Sequence, residues 1–233
     1  MNPKPLLIAL DYNRSADALA LAAQLSPDLC RLKIGKELYT REGRQLVEAL
    51  QGIGYDIFLD LKYHDIPNTV AAALRVAAEM GVWMVNVHAS GGRKMLETAA
   101  DALARYRQPP LLIAVTVLTS LGEAELREIG IDEPLAAHVA RLTALAAGSG
   151  LNGVVCSAHE AGAVKAAHGR DFLTVTPGIR PAGSSADDQT RTMPPAAALQ
   201  AGSDYLVIGR PVTRAEKPAV ALADIITSIK TGA

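Results

Sequence analysis

Aromatic side chains are scarce in this chain: one Trp, six Tyr and two Phe make up 4% of 233 residues. Stacking platforms for single-stranded nucleic acid need more of them. An excess of cations is missing too. Lys and Arg number 23 against 24 Asp and Glu, a formal net charge of −1, which excludes a broad basic face for nucleic acid but leaves room for a small basic pocket. Only two cysteines occur, Cys30 and Cys156, each in an apolar run. That excludes a disulfide scaffold and a paired-thiolate metal site, and points to buried structural thiols. No His, Asp and Glu spacing resembles a zinc site. No apolar run approaches membrane-spanning length. Five apolar residues, Leu6 to Leu10, separate Met1-Asn2-Pro3-Lys4-Pro5 from Asp11, too few for a secretory signal. The expected setting is the cytoplasm, with no membrane or nucleic-acid partner.

What the chain does have is a repeated alternation. Short apolar, β-branched runs occur at Leu6–Leu10, Leu29–Ile34, Ile57–Leu61, Val82–Val87, Leu111–Leu118, Gly153–Cys156, Phe172–Val175 and Tyr205–Ile208. These predict eight strands. Between them lie Ala/Leu/Glu/Arg-rich stretches with helical spacing: Ser15–Leu25, Glu42–Gln51, Val70–Met80, Gly92–Ala104, Pro134–Ala147, Ala158–Ala167 and Pro194–Ala201. A last helix is expected over Ala219–Lys230. Strict strand–helix alternation implies a parallel sheet, and eight units with no linker or charge block favour an α/β fold, a single-domain (β/α)8 TIM barrel over residues 1–233. The competing architecture is an open doubly wound sheet. The Gly-rich dinucleotide turn such a sheet often carries is missing after the first strand, where Asp11-Tyr12-Asn13-Arg14 stands instead.

The densest polar stretch is Asp60-Leu61-Lys62-Tyr63-His64-Asp65-Ile66-Pro67-Asn68-Thr69, which follows the apolar Ile57-Phe58-Leu59. Strand alternation puts Asp60 and Lys62 on one face, and Pro67 suits a first helical turn. Alone, the pair is equally compatible with a structural salt bridge. Its company shifts the balance. Barrel active sites lie at the C-terminal strand ends, and these ends carry Asp11, Lys33, Asp60 with Lys62, Asn86 with His88, Thr119-Ser120, Gly178 with Arg180, and Gly209-Arg210. The opposite ends are expected to carry no such set. Gly209, Arg210 and Pro211 suit a phosphate grip after the last strand, with Arg180 nearby. Gly183 to Gln189 reads as a polar loop beside it, a lid or an ordinary surface loop. His64 and His88 flank the site, His64 as a structural histidine. His138, His159 and His168 fall on predicted helices and are expected at the surface. A magnesium site from Asp11 and Asp60 is conceivable, but Lys33 and Lys62 would stand where the metal charge would go. Ser120 and Ser157 lack a nucleophile-elbow context.

These residues together resemble the orotidine 5′-monophosphate decarboxylase family. The resemblance rests on the Asp60–Thr69 stretch, with Tyr63 where Phe is commoner, and on Leu10-Asp11, Lys33-Ile34-Gly35, Val117-Leu118-Thr119-Ser120, Pro177-Gly178-Ile179-Arg180-Pro181 and Ile208-Gly209-Arg210-Pro211. It implies a (β/α)8 barrel acting as a homodimer with shared active sites, without metal or organic cofactor, converting orotidine 5′-monophosphate (OMP) to uridine 5′-monophosphate (UMP). Carried over, Lys62 would be the proton donor. Lys33, Asp60 and Lys62 would form an alternating charge network completed by Asp65 of the other subunit. Asp11 and Lys33 would hold ribose hydroxyls, Thr69 would reach the partner's substrate, and Ile66 would join it as a substrate-binding residue. Thr119 would contact the pyrimidine region. Gln189, Gly209 and Arg210 would take the phosphate, with Arg180 in the same loop system.

Two other functions compete. Magnesium-dependent sugar-phosphate barrels share an Asp-x-Lys-x-x-Asp core like Asp60 to Asp65, but Lys33 stands where such relatives would place an acidic metal ligand. A phosphate-ligand sensor on a decayed barrel would need no proton donor beside a carboxylate.

Overall fold

The computed structural model describes residues 4–181 and 191–232. Its strands are β1 Leu6–Leu10, β2 Arg31–Gly35, β3 Ile57–Tyr63, β4 Met84–His88, β5 Leu111–Val115, β6 Gly153–Val155, β7 Leu173–Thr176 and β8 Tyr205–Ile208. All neighbours pair in parallel, and β8 returns to β1 to close the barrel. The open-sheet alternative is therefore excluded. The long helices are α1 Ser15–Ala22, α2 Lys36–Gly52, α3 Pro67–Glu79, α4 Arg93–Leu103, α6 Leu135–Gly148, α7 Ala158–His168 and α10 Pro218–Thr231. Three short ones, α5 Glu123–Glu128, α8 Pro195–Gln200 and α9 Arg210–Thr213, lie in the second half.

Two apolar layers follow from the period-two alternation of each strand. Leu7, Phe58, Met84, Ile113, Val175 and Tyr205 form one cluster, drawn from six strands, that fills the barrel. Leu6, Ile8, Leu10, Leu32, Ile34, Leu59 and Val85 belong to the larger cluster between sheet and helices. Fully burying a side chain such as Phe58 stabilises by about 2–3 kcal/mol. Close approach fixes at least one residue type: a Cβ on Gly153 would lie 2.2 Å from the Leu173 carbonyl oxygen, so only glycine lets β6 and β7 meet there.

Elements depart from expectation in instructive ways. Strand β5 stops at Val115 rather than Leu118, leaving Thr119 and Ser120 in a turn. Helix α2 starts at Lys36 instead of Glu42: an extra helical segment from Lys36 to Glu42 precedes a break at the non-helical Gly43 (φ 62°, ψ −150°), and the expected helix follows it. Helix α5 was not expected at all. It is one and a half turns long, and its glutamates cap it: the Gly122 N–H donates to Glu125 Oε2 at 2.8 Å. His138 is buried, not at the surface, and its Nδ1 lies 2.6 Å from Glu133 Oε1. The lower strand ends are also not bare. Arg31 bonds Asp56 there and lies 4.1 Å over the Trp83 ring, and Lys165 pairs with Asp204. No helix among the described residues is long and apolar enough to cross a membrane.

Candidate active site

Inward-facing positions climb the first four strands and change from apolar to polar at the top. Lys33 stands next to Ala9 in the β1–β2 register, and Asp60 lies opposite Gly35 in β2–β3. The result is a string of alternating charge. Lys33 Nζ is 3.7 Å from Asp11 Oδ1 and 3.1 Å from Asp60 Oδ2, and Lys62 Nζ is 2.6 Å from Asp60 Oδ1. Asp60 and Lys33 are buried, while Lys62 keeps a quarter of its side chain exposed. Burial pushes the Asp60 carboxyl up. The Lys33 and Lys62 ammoniums, with hydrogen bonds from Lys62 and Asn86, outweigh it and hold the group below the usual carboxylate range.

Lys62 does not reach Asp60 by regular alternation. The β3–β4 register jumps between Leu59↔Val85 and Tyr63↔Val87, so β3 carries extra residues opposite Asn86. Lys62 absorbs them in a left-handed conformation with φ 53°, the one non-glycine among the described residues with positive φ. Such a backbone costs roughly 1–3 kcal/mol and concentrates at functional sites. Its N–H, taken out of the ladder, donates to Asn86 Oδ1 at 2.8 Å.

The string opens into a cleft of about 850 Å³ at the C-terminal strand ends. Asp11, Lys33, Asp60, Lys62, Thr119, Arg180, Gly209 and Arg210 all line it. Gly178 turns the chain after β7 with φ 78°, and the Arg180 N–H donates to the Met193 carbonyl at 3.0 Å, which pins that loop's base. Gly209 precedes α9, with Pro211 in its first turn as the sequence suggested. The Tyr12 hydroxyl donates to the Thr213 carbonyl at 3.0 Å and ties the loop after β1 to α9. Gln189 and the Gly183–Gln189 loop lie outside the described residues.

Three predicted residues are not gathered into the cleft of one chain. Asp65, Ile66 and Thr69 are exposed at the start of α3, Ile66 at 68%. The Asp65 carboxylate caps its own loop by accepting the Ile66 N–H at 2.6 Å. Among the described residues it forms no ion pair with Lys62. His88 and His64 do flank the site, their rings 5.6 Å apart. Burial, then the neighbouring His64, Lys36 and Lys62, push His88 down to about 4, so it is neutral near pH 7. The sequence reading gave no role to Asn86, Tyr12 or Cys156, all in or under the site; the Asn86–His88 spacing at a strand end was the one available signal. No group of three or more His, Cys, Asp or Glu that could hold a metal occurs among the described residues.

A family model described as "Orotidine 5'-phosphate decarboxylase / HUMPS family" matches residues 4–225. This chain belongs to that family. A relative named orotidine 5′-phosphate decarboxylase from Teredinibacter turnerae is 59% identical over 225 residues, covering 97% of each chain. One of the same name from Chromobacterium violaceum is 61% identical over 221 residues, covering 95% of this chain and 90% of the other. A crystal structure of orotidine 5′-phosphate decarboxylase from Lactobacillus acidophilus superposes with a TM-score of 0.86 at 37% identity, covering 97% of this chain and 98% of that one.

Proposed function

We propose that this chain decarboxylates OMP to UMP, with Lys62 delivering the proton to C6. The observation that carries this reading is the Asp11–Lys33–Asp60–Lys62 string, an ammonium held by a buried carboxylate at the mouth of a cleft. Breaking the C6–carboxylate bond releases CO2 and leaves the electron pair in an sp2 orbital on C6, which the ring does not delocalise. The site must therefore stabilise a localised carbanion and then protonate it. Lys62, its ammonium paired with Asp60, does both: its charge faces the developing anion, and one Nζ–H passes to C6.

Asp60 sits where it crowds the substrate carboxylate. Two unit charges about 4 Å apart interact by roughly 4 kcal/mol at an effective dielectric of 20, and that repulsion vanishes as CO2 leaves. Asp11 and Lys33 suit the ribose hydroxyls, and Thr119 the pyrimidine. Gly209 and Arg210, with Arg180 and Gln189, suit the phosphate, which sits far enough from C6 for its binding energy to serve the chemical step. The exposure of Asp65, Ile66 and Thr69 supports a homodimer in which these residues complete the partner's site. The working unit in this reading is one barrel domain per subunit, in the cytoplasm. It needs no metal or organic cofactor, since Lys33 and Lys62 already supply the positive charge.

Loss of OMP absorbance, followed with purified protein before and after EDTA, tests the proposal. Rapid, EDTA-insensitive conversion to UMP is expected. Failure to consume OMP overturns the reading, and turnover abolished by EDTA and restored by Mg2+ favours the magnesium-dependent alternative.

A further inference from the structure

We infer that Asn86 is a positioning residue for the decarboxylation: through one side-chain amide it holds both the backbone of Lys62 and the carboxylate of Asp60. The inference rests on the function proposed above. Asn86 is fully buried in β4. Its Nδ2 donates to Asp60 Oδ1 at 2.7 Å, and its Oδ1 accepts the Lys62 N–H at 2.8 Å. Both partners dictate which way the amide faces. An ionised carboxylate only accepts, and a backbone N–H only donates. A side chain of this size that must donate to one and accept from the other is an amide.

The location explains why such a residue is needed. Between Leu59↔Val85 and Tyr63↔Val87 the ladder has no regular partner for the Lys62 N–H. Asn86 occupies the gap on the opposing strand and supplies the missing acceptor. It thereby holds Lys62 in its left-handed backbone (φ 53°), and that conformation sends Nζ back to the same Asp60 oxygen that Asn86 touches. The amide thus fixes the angle between acid and carboxylate while adding no charge to a site already crowded with it. The charged and titratable groups around Asp60 are Lys33 on β2, with Asp11 behind it, Lys62 on β3 and His88 on β4.

Asn86→Asp is nearly isosteric and keeps the acceptor for Lys62, but it sets a second carboxylate against Asp60. Two carboxyls in contact cannot both ionise freely. Steady-state kinetics with OMP should show kcat reduced at least tenfold at neutral pH, KM within threefold of wild type, and the acid limb of kcat moved up by about one pH unit or more. Asn86→Ser, neutral and shorter, should lose kcat by a similar factor with the acid limb unmoved, and it carries the test should the Asp variant not fold. UMP titration counts intact sites, so kcat is expressed per binding-competent molecule. A purely structural Asn86 would lower that count and the melting temperature but leave kcat per site and the pH profile as in wild type; that result overturns the inference. Wild-type protein that fails to convert OMP overturns the proposed function, and this inference with it.

Discussion

Each end of the barrel holds a lysine against an aspartate, and the two pairs are finished differently. At the lower end, Lys165 Nζ donates to the carbonyls of Arg170 (2.9 Å) and Phe172 (2.8 Å) and to Asp204 Oδ2 (2.5 Å). All three ammonium donors are spent. Asp204 in turn accepts the Thr174 N–H and hydroxyl at 2.7 and 3.1 Å. At the upper end, Lys62 Nζ has one hydrogen-bond partner among the described residues, Asp60, and lines the cleft. Its backbone is strained while that of Lys165 is ordinary helix. A saturated ion pair is a clip between elements. An unsaturated one on a strained strand, next to a second lysine and open to a cavity, holds a proton and a charge in reserve for something that enters. Ion pairing alone does not separate the two; the state of the remaining donors does.

That contrast predicts opposite phenotypes. Lys62→Ala should have the largest effect: a loss of kcat of about 10⁴-fold or more, with a melting temperature close to that of wild type because Lys33 still pairs with the Asp60 carboxylate. Assay and thermal melt together check it. A variant retaining more than a tenth of wild-type turnover would contradict the assignment. Next is Arg210→Ala, in the part of the cleft lining that the proposed function gives to the phosphate. KM for OMP should rise about 100-fold, in line with the loss of a charge-assisted contact; an unchanged KM would remove Arg210 from the phosphate grip.

Lys165→Met should do the reverse of Lys62→Ala. It leaves Asp204 partly buried without its cation, and stability in urea should fall by about 2 kcal/mol, with kcat per folded molecule unchanged. Reduced kcat in fully folded protein would blur the distinction between the two ends. The smallest effect concerns His88. Its pKa falls from about 6.5 unfolded to about 4 in the fold, so between those values the unfolded chain binds more protons and stability declines as pH falls; below about 4 the difference is constant. His88→Gln should remove on the order of 1 kcal/mol of that decline, a modest amount because solvent screens the half-buried ring. Chemical denaturation at pH 7 and pH 4.5 checks it, and equal acid sensitivity in both proteins would show that other groups set the slope.

Much of this was legible in the sequence, for physical reasons. Eight apolar runs separated by helical stretches leave few topologies, and β1 and β8 were bounded correctly because turn residues flank them closely. Asp11, Lys33, Asp60, Lys62, Thr119, Arg180, Gly209 and Arg210 reach one cleft because strand ends of a barrel converge. What was hidden depends on cross-strand context. Alternation put Asp60 and Lys62 together, but through a regular strand; the register jump and the left-handed Lys62 arise only when β3 meets β4. Asn86 stands out in sequence only as a polar strand-end residue two before His88; what it holds appears only when its two partners are seen. His138 looked like a surface residue in sequence, but it shares the buried face of α6 with Val139, Leu142 and Ala146 and is satisfied there by Glu133. Arg31, Asp56, Lys165 and Asp204 lie far apart along the chain, so the lower clips had no local signature. Asp65, Ile66 and Thr69 belong, in the proposed dimer, to a site in another copy.

The most direct test of Lys62 as the C6 acid runs the reaction backwards. By microscopic reversibility the group that protonates C6 must also remove a proton from it, so wild-type protein in D2O should exchange H6 of UMP for deuterium, detectable by NMR as slow loss of the H6 signal. Lys62→Ala, still folded and still binding UMP, should show no exchange above the uncatalysed background. Exchange at the wild-type rate in that variant would contradict the central claim and place the acid on another group.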